Sequence, residues 1–256
     1  MAVAHLGPRL TGAEQARIIT SWWFARKGAS WRLRCLPAPS QDEQATVVLE
    51  QMTRDLHTHG RLRRWAAAIY EPEIHAFGGA DAMDLAHDLF HADSRHLLSH
   101  LREARTDHRR ELGLRLASLL IRAAGQDWYE QGDIWAQVAA HRVTGHPPPQ
   151  QPATTAAVHR LVTARTDGGH SPLRAAPAWP AAFQQTGRDL ARLAHQGTLT
   201  RGCGPCWPTT SCSPGTARAF PRTSKPSWRP PRARPSFSRN QRAPPARFPG
   251  RRRPCG

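Results

Sequence analysis

The stretch Tyr70-Glu-Pro-Glu-Ile-His-Ala-Phe77-Gly-Gly-Ala80, followed closely by Phe90-His-Ala-Asp-Ser-Arg95, decides how the rest of the chain is read. Taken alone it is a strand end, a polar turn through Pro72, and a paired-glycine turn into a helix. Gly78 and Gly79 supply backbone conformations that side chains disfavour. Residues 80–90 carry helical spacing. Residues 94–104 read as a second helix, with Asp93 or Ser94 as its N-cap.

Upstream of this stretch lie two short aromatic runs, Ser21-Trp-Trp-Phe-Ala-Arg26 and Trp31-Arg-Leu-Arg-Cys-Leu36, joined by Lys27-Gly-Ala-Ser30. Their alternation and the turn between them predict a strand pair. In the second run Trp31, Leu33 and Cys35 share one face, while Arg32 and Arg34 share the other. Residues 41–59 predict a helix: Asp42 and Glu43 enrich its first turn, Val48, Met52 and Leu56 recur every four residues, and Gly60 ends it. Leu62 to Tyr70 suits a further strand. Downstream, Asp107–Ala124 carries the stripe Leu112, Leu116, Leu119 and Leu120. Asp127–Arg142 carries Trp128, Ile134, Trp135 and Val138. Pro147-Pro148-Pro149 opens a polar linker, and Ala181–His195 is a last helix. The expected class is α+β, a small early sheet followed by packed helices. No internal repeat is visible.

Composition divides the chain near Gly202. The net charge is +17, yet residues 203–256 hold 12 Lys/Arg and no acidic residue, while the first 202 residues hold 24 basic and 19 acidic ones. The same tail holds 12 of the 23 prolines and four of the five cysteines, and it lacks Leu, Ile, Val, Met and His. A segment so poor in aliphatic side chains cannot offset its chain entropy, so a disordered tail is expected. The resulting divisions are an N-terminal segment at 1–20, a domain at 21–202 and the tail at 203–256. No apolar run approaches membrane-spanning length, and the N-terminus lacks a secretory pattern. Cys35, alone in the body, fits a reduced cytoplasmic protein. Cys203, Cys206 and Cys212 lack a fourth ligand at zinc spacing, so no metal site is expected. The Arg/Pro tail has no folded reader, so no specific nucleic-acid binding is expected.

The order Tyr70, Glu73, Phe77-Gly78-Gly79, His91-Ala92-Asp93-Ser94 resembles the C-terminal elimination domain of lantibiotic dehydratases. That family includes stand-alone proteins of thiopeptide-type bacteriocin biosynthesis. Trp22-Trp-Phe-Ala-Arg-Lys27 with Trp31-Arg-Leu-Arg34 is similar to the family's aromatic strand and Arg-Leu-Arg strand. Asp127-Trp-Tyr-Glu-Gln-Gly-Asp-Ile-Trp135 resembles a helix of the stand-alone members. The resemblance as a whole covers roughly residues 20 to 202.

The resemblance implies work on a ribosomally made precursor peptide whose Ser or Thr has been glutamylated by a separate dehydratase subunit. Elimination of the glutamate would give dehydroalanine or dehydrobutyrine without a metal or organic cofactor. Stand-alone relatives that join two dehydroalanines into a pyridine ring supply a second reading. Elimination needs a base for the α-proton, donors for the enolate-like charge, and a grip on the leaving carboxylates. Arginine suits the last two roles through its planar fork. Arg32 and Arg34 are therefore carried over as catalytic candidates with His91, and Tyr70, Glu73, Phe77, Gly78, Gly79, Asp93, Ser94 and Arg95 as substrate-binding candidates. His91 and Asp93 also suit a bracing role at the helix junction. Family arginines two residues after the motif tyrosine and just before the aromatic-Gly-Gly are replaced here by Pro72 and Ala76. These departures also fit a third reading, a non-catalytic escort of the precursor peptide that uses a strand edge. The oligomeric state stays open, a homodimer included.

The break near Gly202 also reads as a shifted frame. With one base lost, the Cys206–Trp207 junction encodes Leu and the Trp207–Pro208 junction encodes Ala. With the free bases chosen to meet the family's ending, the lost frame gives LRAVLAHHVLFAWNR, similar to a C-terminal helix whose His is implicated in catalysis. On that reading the chain is an inactive product or lacks part of its site; the alternative is a genuine basic extension.

Overall fold

The structure, a computed structural model, describes residues 2–27, 30–103, 108–141, 152–163, 173 and 175–200. The expectations for residues 203–256 (disorder, a shifted frame, the cysteine spacing) lie outside the described residues.

The architecture is α+β, with a two-stranded antiparallel sheet near the start and helices after it. Strand β1 (Ile19–Lys27) pairs with β2 (Ser30–Pro37), so that Trp23 faces Arg34 and Ala25 faces Arg32 across the ladder. Alternation therefore puts Trp23, Arg32 and Arg34 on one face of the sheet, and Trp22, Phe24, Leu33 and Cys35 on the other. Helix α1 (Gly7–Gln15), entered through one wide turn at Ala2–Leu6, precedes the sheet. The sequence reading offers no element there. Leu6, Leu10 and Ala13 are nevertheless buried with Ile19 and Trp22, joined by Ala45, Met52 and Leu56 of α2 (Asp42–Thr58). The apolar face of the sheet thus packs on α1 and α2.

Helix α3 (Ala80–Glu103) is continuous. This corrects the expectation of two helices with a cap at Asp93 or Ser94. Both residues are interior to the helix, because their side chains find distant partners and do not compete for the local backbone. Leu98 of α3 joins the sheet-side core, while Ala82 and Leu89 join a second core built from α4 (Arg109–Ala123), α5 (Trp128–Ala140) and α7 (Ala178–His195). In α4 and α7 the apolar stripes are Leu112, Leu116, Leu120 and Trp179, Phe183, Leu190. The two helices approach closely at Gly187, where an added Cβ would lie 2.8 Å from Ala123 Cβ and would also meet the Leu120 carbonyl. Asp127 begins α5 with a reciprocal cap: its Oδ1 accepts from the Glu130 N–H at 2.8 Å, and Glu130 Oε2 accepts from the Asp127 N–H at 2.7 Å.

Two further expectations are corrected. Leu62–Tyr70 forms no strand, and Trp65 and Ile69 are 44% and 66% exposed. Its residues have strand character, but a strand needs a ladder partner, and none is paired with it among the described residues. The polar stretch after Pro149 also contains helix α6 (Pro152–Thr163), with Pro152 at its first position, where proline's missing N–H costs nothing. No helix among the described residues is long and apolar enough to cross a membrane.

Candidate functional site

The site grows from the polar face of the sheet. Trp23 of β1 is buried there against three neighbours: His87 of α3 at 4.8 Å between ring centres, Tyr70 at 5.7 Å and Phe90 at 6.4 Å. Across the ladder from Trp23, the Arg34 guanidinium lies 4.5 Å from the Tyr70 ring centre, within cation–π range. The Tyr70 hydroxyl lies 2.8 Å from His87 Nε2. Guanidinium, phenol and imidazole thus meet in one half-buried cluster, with Phe77 attached through Phe90 at 6.0 Å.

Electrostatics follow from this packing. Burial lowers the pKa of Arg34, and its neighbour Arg32 lowers it further; Tyr70 and Glu73 act in the opposite sense. Burial raises the Tyr70 phenol, an effect Arg34 opposes and Glu73 reinforces. The His87 imidazole is held below the ordinary histidine value by burial, with Asp84 and Asp88 pulling the other way and Arg34 adding to the lowering. Near neutral pH the cluster therefore offers a cation, a protonated phenol and a neutral imidazole. This set can bind a carboxylate, donate a hydrogen bond and accept a proton.

The paired glycines shape the approach to α3. Gly78 and Gly79 have φ of 89° and 125°, left-handed conformations that suit glycine. The Gly78 carbonyl accepts from the Thr200 N–H at 2.8 Å, which ties the turn to the chain beyond α7. Glu73 closes the preceding turn through its carbonyl, which accepts from the Ala76 and Phe77 N–H groups.

The His-Ala-Asp-Ser residues occupy different surroundings. Successive helical residues turn about 100°, so His91 and Ser94 face β1 while Asp93 faces α7. Ser94 Oγ accepts from the Phe24 N–H at 3.2 Å, and His91 Nδ1 lies 3.1 Å from the Trp22 nitrogen and 2.9 Å from its oxygen. These contacts close the outer edge of β1. His91 Nε2 lies 3.3 Å from Glu14 Oε1 of α1, which also receives Arg95 Nη1 at 2.7 Å. The tautomer with hydrogen on Nε2 satisfies both nitrogens, donating to Glu14 and accepting from Trp22. Asp93 Oδ1 accepts from Trp179 Nε1–H at 2.9 Å inside the α3–α7 interface, and burial pushes its carboxyl up to about 6.

The structure therefore brings Arg34, Tyr70 and Glu73 together, with Arg32 exposed on the same sheet face and Phe77, Gly78 and Gly79 forming the turn beside them. His91, Ser94 and Arg95 gather at the α1–β1–α3 junction, and Asp93 lies between helices. Sequence reasoning missed Trp23, Glu14 and His87. Only His87 left a usable signal: with His91 and Ser94 it forms a polar i, i+4, i+7 stripe along α3. No group of three or more metal-ligating side chains occurs among the described residues. The Cys35 thiol is pushed by burial up to about 12, which disfavours the thiolate.

A family model described as lantibiotic biosynthesis dehydratase, C-terminal, matches residues 1–212. A search of curated proteins finds no match.

Proposed function

This chain belongs to the lantibiotic biosynthesis dehydratase C-terminal family, and we propose on that premise that it eliminates glutamate from glutamylated Ser or Thr of a precursor peptide. Membership carries the broader role, the biosynthesis of ribosomally made modified peptides. The observation that carries the finer reading is the meeting of the Arg-Leu-Arg strand and the Tyr-x-x-Glu turn: Arg34 stacks on Tyr70 beside a neutral imidazole. A half-buried guanidinium attracts a carboxylate more strongly than a solvated one does. In the reaction Arg34 holds the developing carboxylate of the leaving glutamate, and Arg32 on the same face adds positive potential. Tyr70 and Glu73 both favour the charged guanidinium. The peptide and a separate glutamylating subunit are the partners this chemistry requires.

The test is reconstitution. A precursor peptide glutamylated by its dehydratase partner is incubated with and without this protein. Elimination leaves a product lighter by one water per modified Ser or Thr than the unmodified peptide. If the glutamylated peptide becomes fully dehydrated without this chain, the assignment fails and pyridine formation or peptide escort takes its place.

A further inference from the structure

We propose that Tyr70 and His87 form the proton-transfer pair of this site, the phenol meeting the substrate's α-proton and the imidazole receiving the phenol's own. The proposal rests on the elimination reading above and adds to it the identity of the base.

The two histidines that face β1 differ in what remains free. Both His91 nitrogens are engaged, Nδ1 with the Trp22 backbone and Nε2 with Glu14, so neither is open toward a substrate or the Tyr70 hydroxyl. His87 has one nitrogen on the Tyr70 hydroxyl at 2.8 Å, and its Nδ1 has no hydrogen-bond partner among the described residues. Its ring leans against Trp23, at 4.8 Å and an interplanar angle of 30°, and is flanked by Phe90 at 6.5 Å. Those contacts fix its orientation toward Tyr70. Arg34 lies over the Tyr70 ring, so one phenol touches both the carboxylate-binding cation and the imidazole.

The step balances. The substrate Cα–H bond breaks and its proton passes to Tyr70 Oη, while the Tyr70 proton moves to His87 Nε2. The released electron pair forms the Cα=Cβ bond, the Cβ–O ester bond breaks, and glutamate leaves as a carboxylate on Arg34. Imidazolium then returns its proton to solvent. The charged groups facing His87 suit this cycle. Asp84 and Asp88 on α3 stabilise the imidazolium, while Arg34 of β2 and burial favour the neutral resting ring; Tyr70 from the preceding turn completes the set. During the transfer Arg34 also stabilises negative charge developing on the phenol.

The decisive comparison is the pH dependence of glutamate release by wild-type protein, His87→Gln and Tyr70→Phe, with peptide affinity measured in parallel. The wild-type rate should fall on the acid side, below the ordinary histidine range, as His87 becomes protonated. His87→Gln should lose at least tenfold in kcat with affinity retained, and its acid limb should vanish. Added imidazole should restore part of the activity of His87→Ala. Tyr70→Phe should be equally slow, and the His87 ring in it should titrate at a different pH by nuclear magnetic resonance. A His87→Gln enzyme with the wild-type rate and acid limb overturns the pair while leaving elimination intact. A His87 ring that titrates identically in Tyr70→Phe overturns the pair even without an activity assay. A wild-type protein that releases no glutamate overturns both readings.

Discussion

The Asp93 carboxyl is buried between α3 and α7 and accepts a hydrogen bond from the Trp179 indole. Burial raises its pKa to about 6, above the ordinary aspartate value, so the folded state holds the proton more tightly than the unfolded chain. The linked stability is fully present below the unfolded carboxyl range and is lost as pH rises through about 6. Asp93→Asn keeps an acceptor for the indole without the charge. It should stabilise the protein by ~2–3 kcal/mol at pH 8 and by progressively less toward pH 4. Melting temperatures of both proteins across that range check this; a difference that stays flat with pH contradicts it. The same tetrapeptide marks a limit of sequence reading. Its residues look like a local cap, yet their partners Trp22, Phe24 and Trp179 lie 69, 70 and 86 residues away. No local pattern carries such pairings.

At the scale of elements, β1 is held from two sides, by the β2 ladder and by His91 and Ser94 of α3. Ser94→Ala leaves the Phe24 N–H without its acceptor and should cost ~1–3 kcal/mol. Faster hydrogen exchange at the Phe24 amide, together with a lower denaturation midpoint, is the expected signature. Gly187 sets a different contact. Gly187→Ala places a methyl group against the Leu120 carbonyl and Ala123, which forces α4 and α7 apart at a cost of ~1–3 kcal/mol. Equilibrium unfolding checks this, and an unchanged midpoint argues against so tight a crossing. The hairpin and the helical stripes of α2 and α4 were legible because alternation and 3.6-residue periodicity are written locally; helix α5 was legible too, but of its expected stripe only Ile134 is buried, and Trp128 is 55% exposed. The expected strand at Leu62–Tyr70 was not, because its residues match a strand while its pairing depends on another edge of the sheet.

For the whole molecule, α3 joins two cores, and the site sits on the sheet side of that joint. Arg34 and Tyr70 could be named from the sequence through the family's motifs. Trp23 could not, because the register that sets it opposite Arg34 is a tertiary fact. The N-terminal helix is part of the same assembly: Leu6 and Leu10 share a buried core with Trp22, and Glu14 ties His91 and Arg95. Removing residues 1–15 uncovers two large side chains' worth of core, about 1.5–3 kcal/mol each, and also breaks the Glu14 contacts. The truncated chain should lose its cooperative melting transition; one that melts like the full chain contradicts the packing described.

The central claim is that Arg34 grips the glutamate that leaves. Its most direct test is to count free glutamate released from a purified glutamylated precursor peptide by wild-type protein and by Arg34→Ala, while measuring how tightly each binds that peptide. The account predicts stoichiometric release by the wild type and a loss of 2–4 kcal/mol in transition-state stabilisation in the variant, roughly 30- to 1000-fold in rate, with peptide affinity largely kept. Release that is unchanged in Arg34→Ala, or that falls only in step with peptide binding, would contradict it.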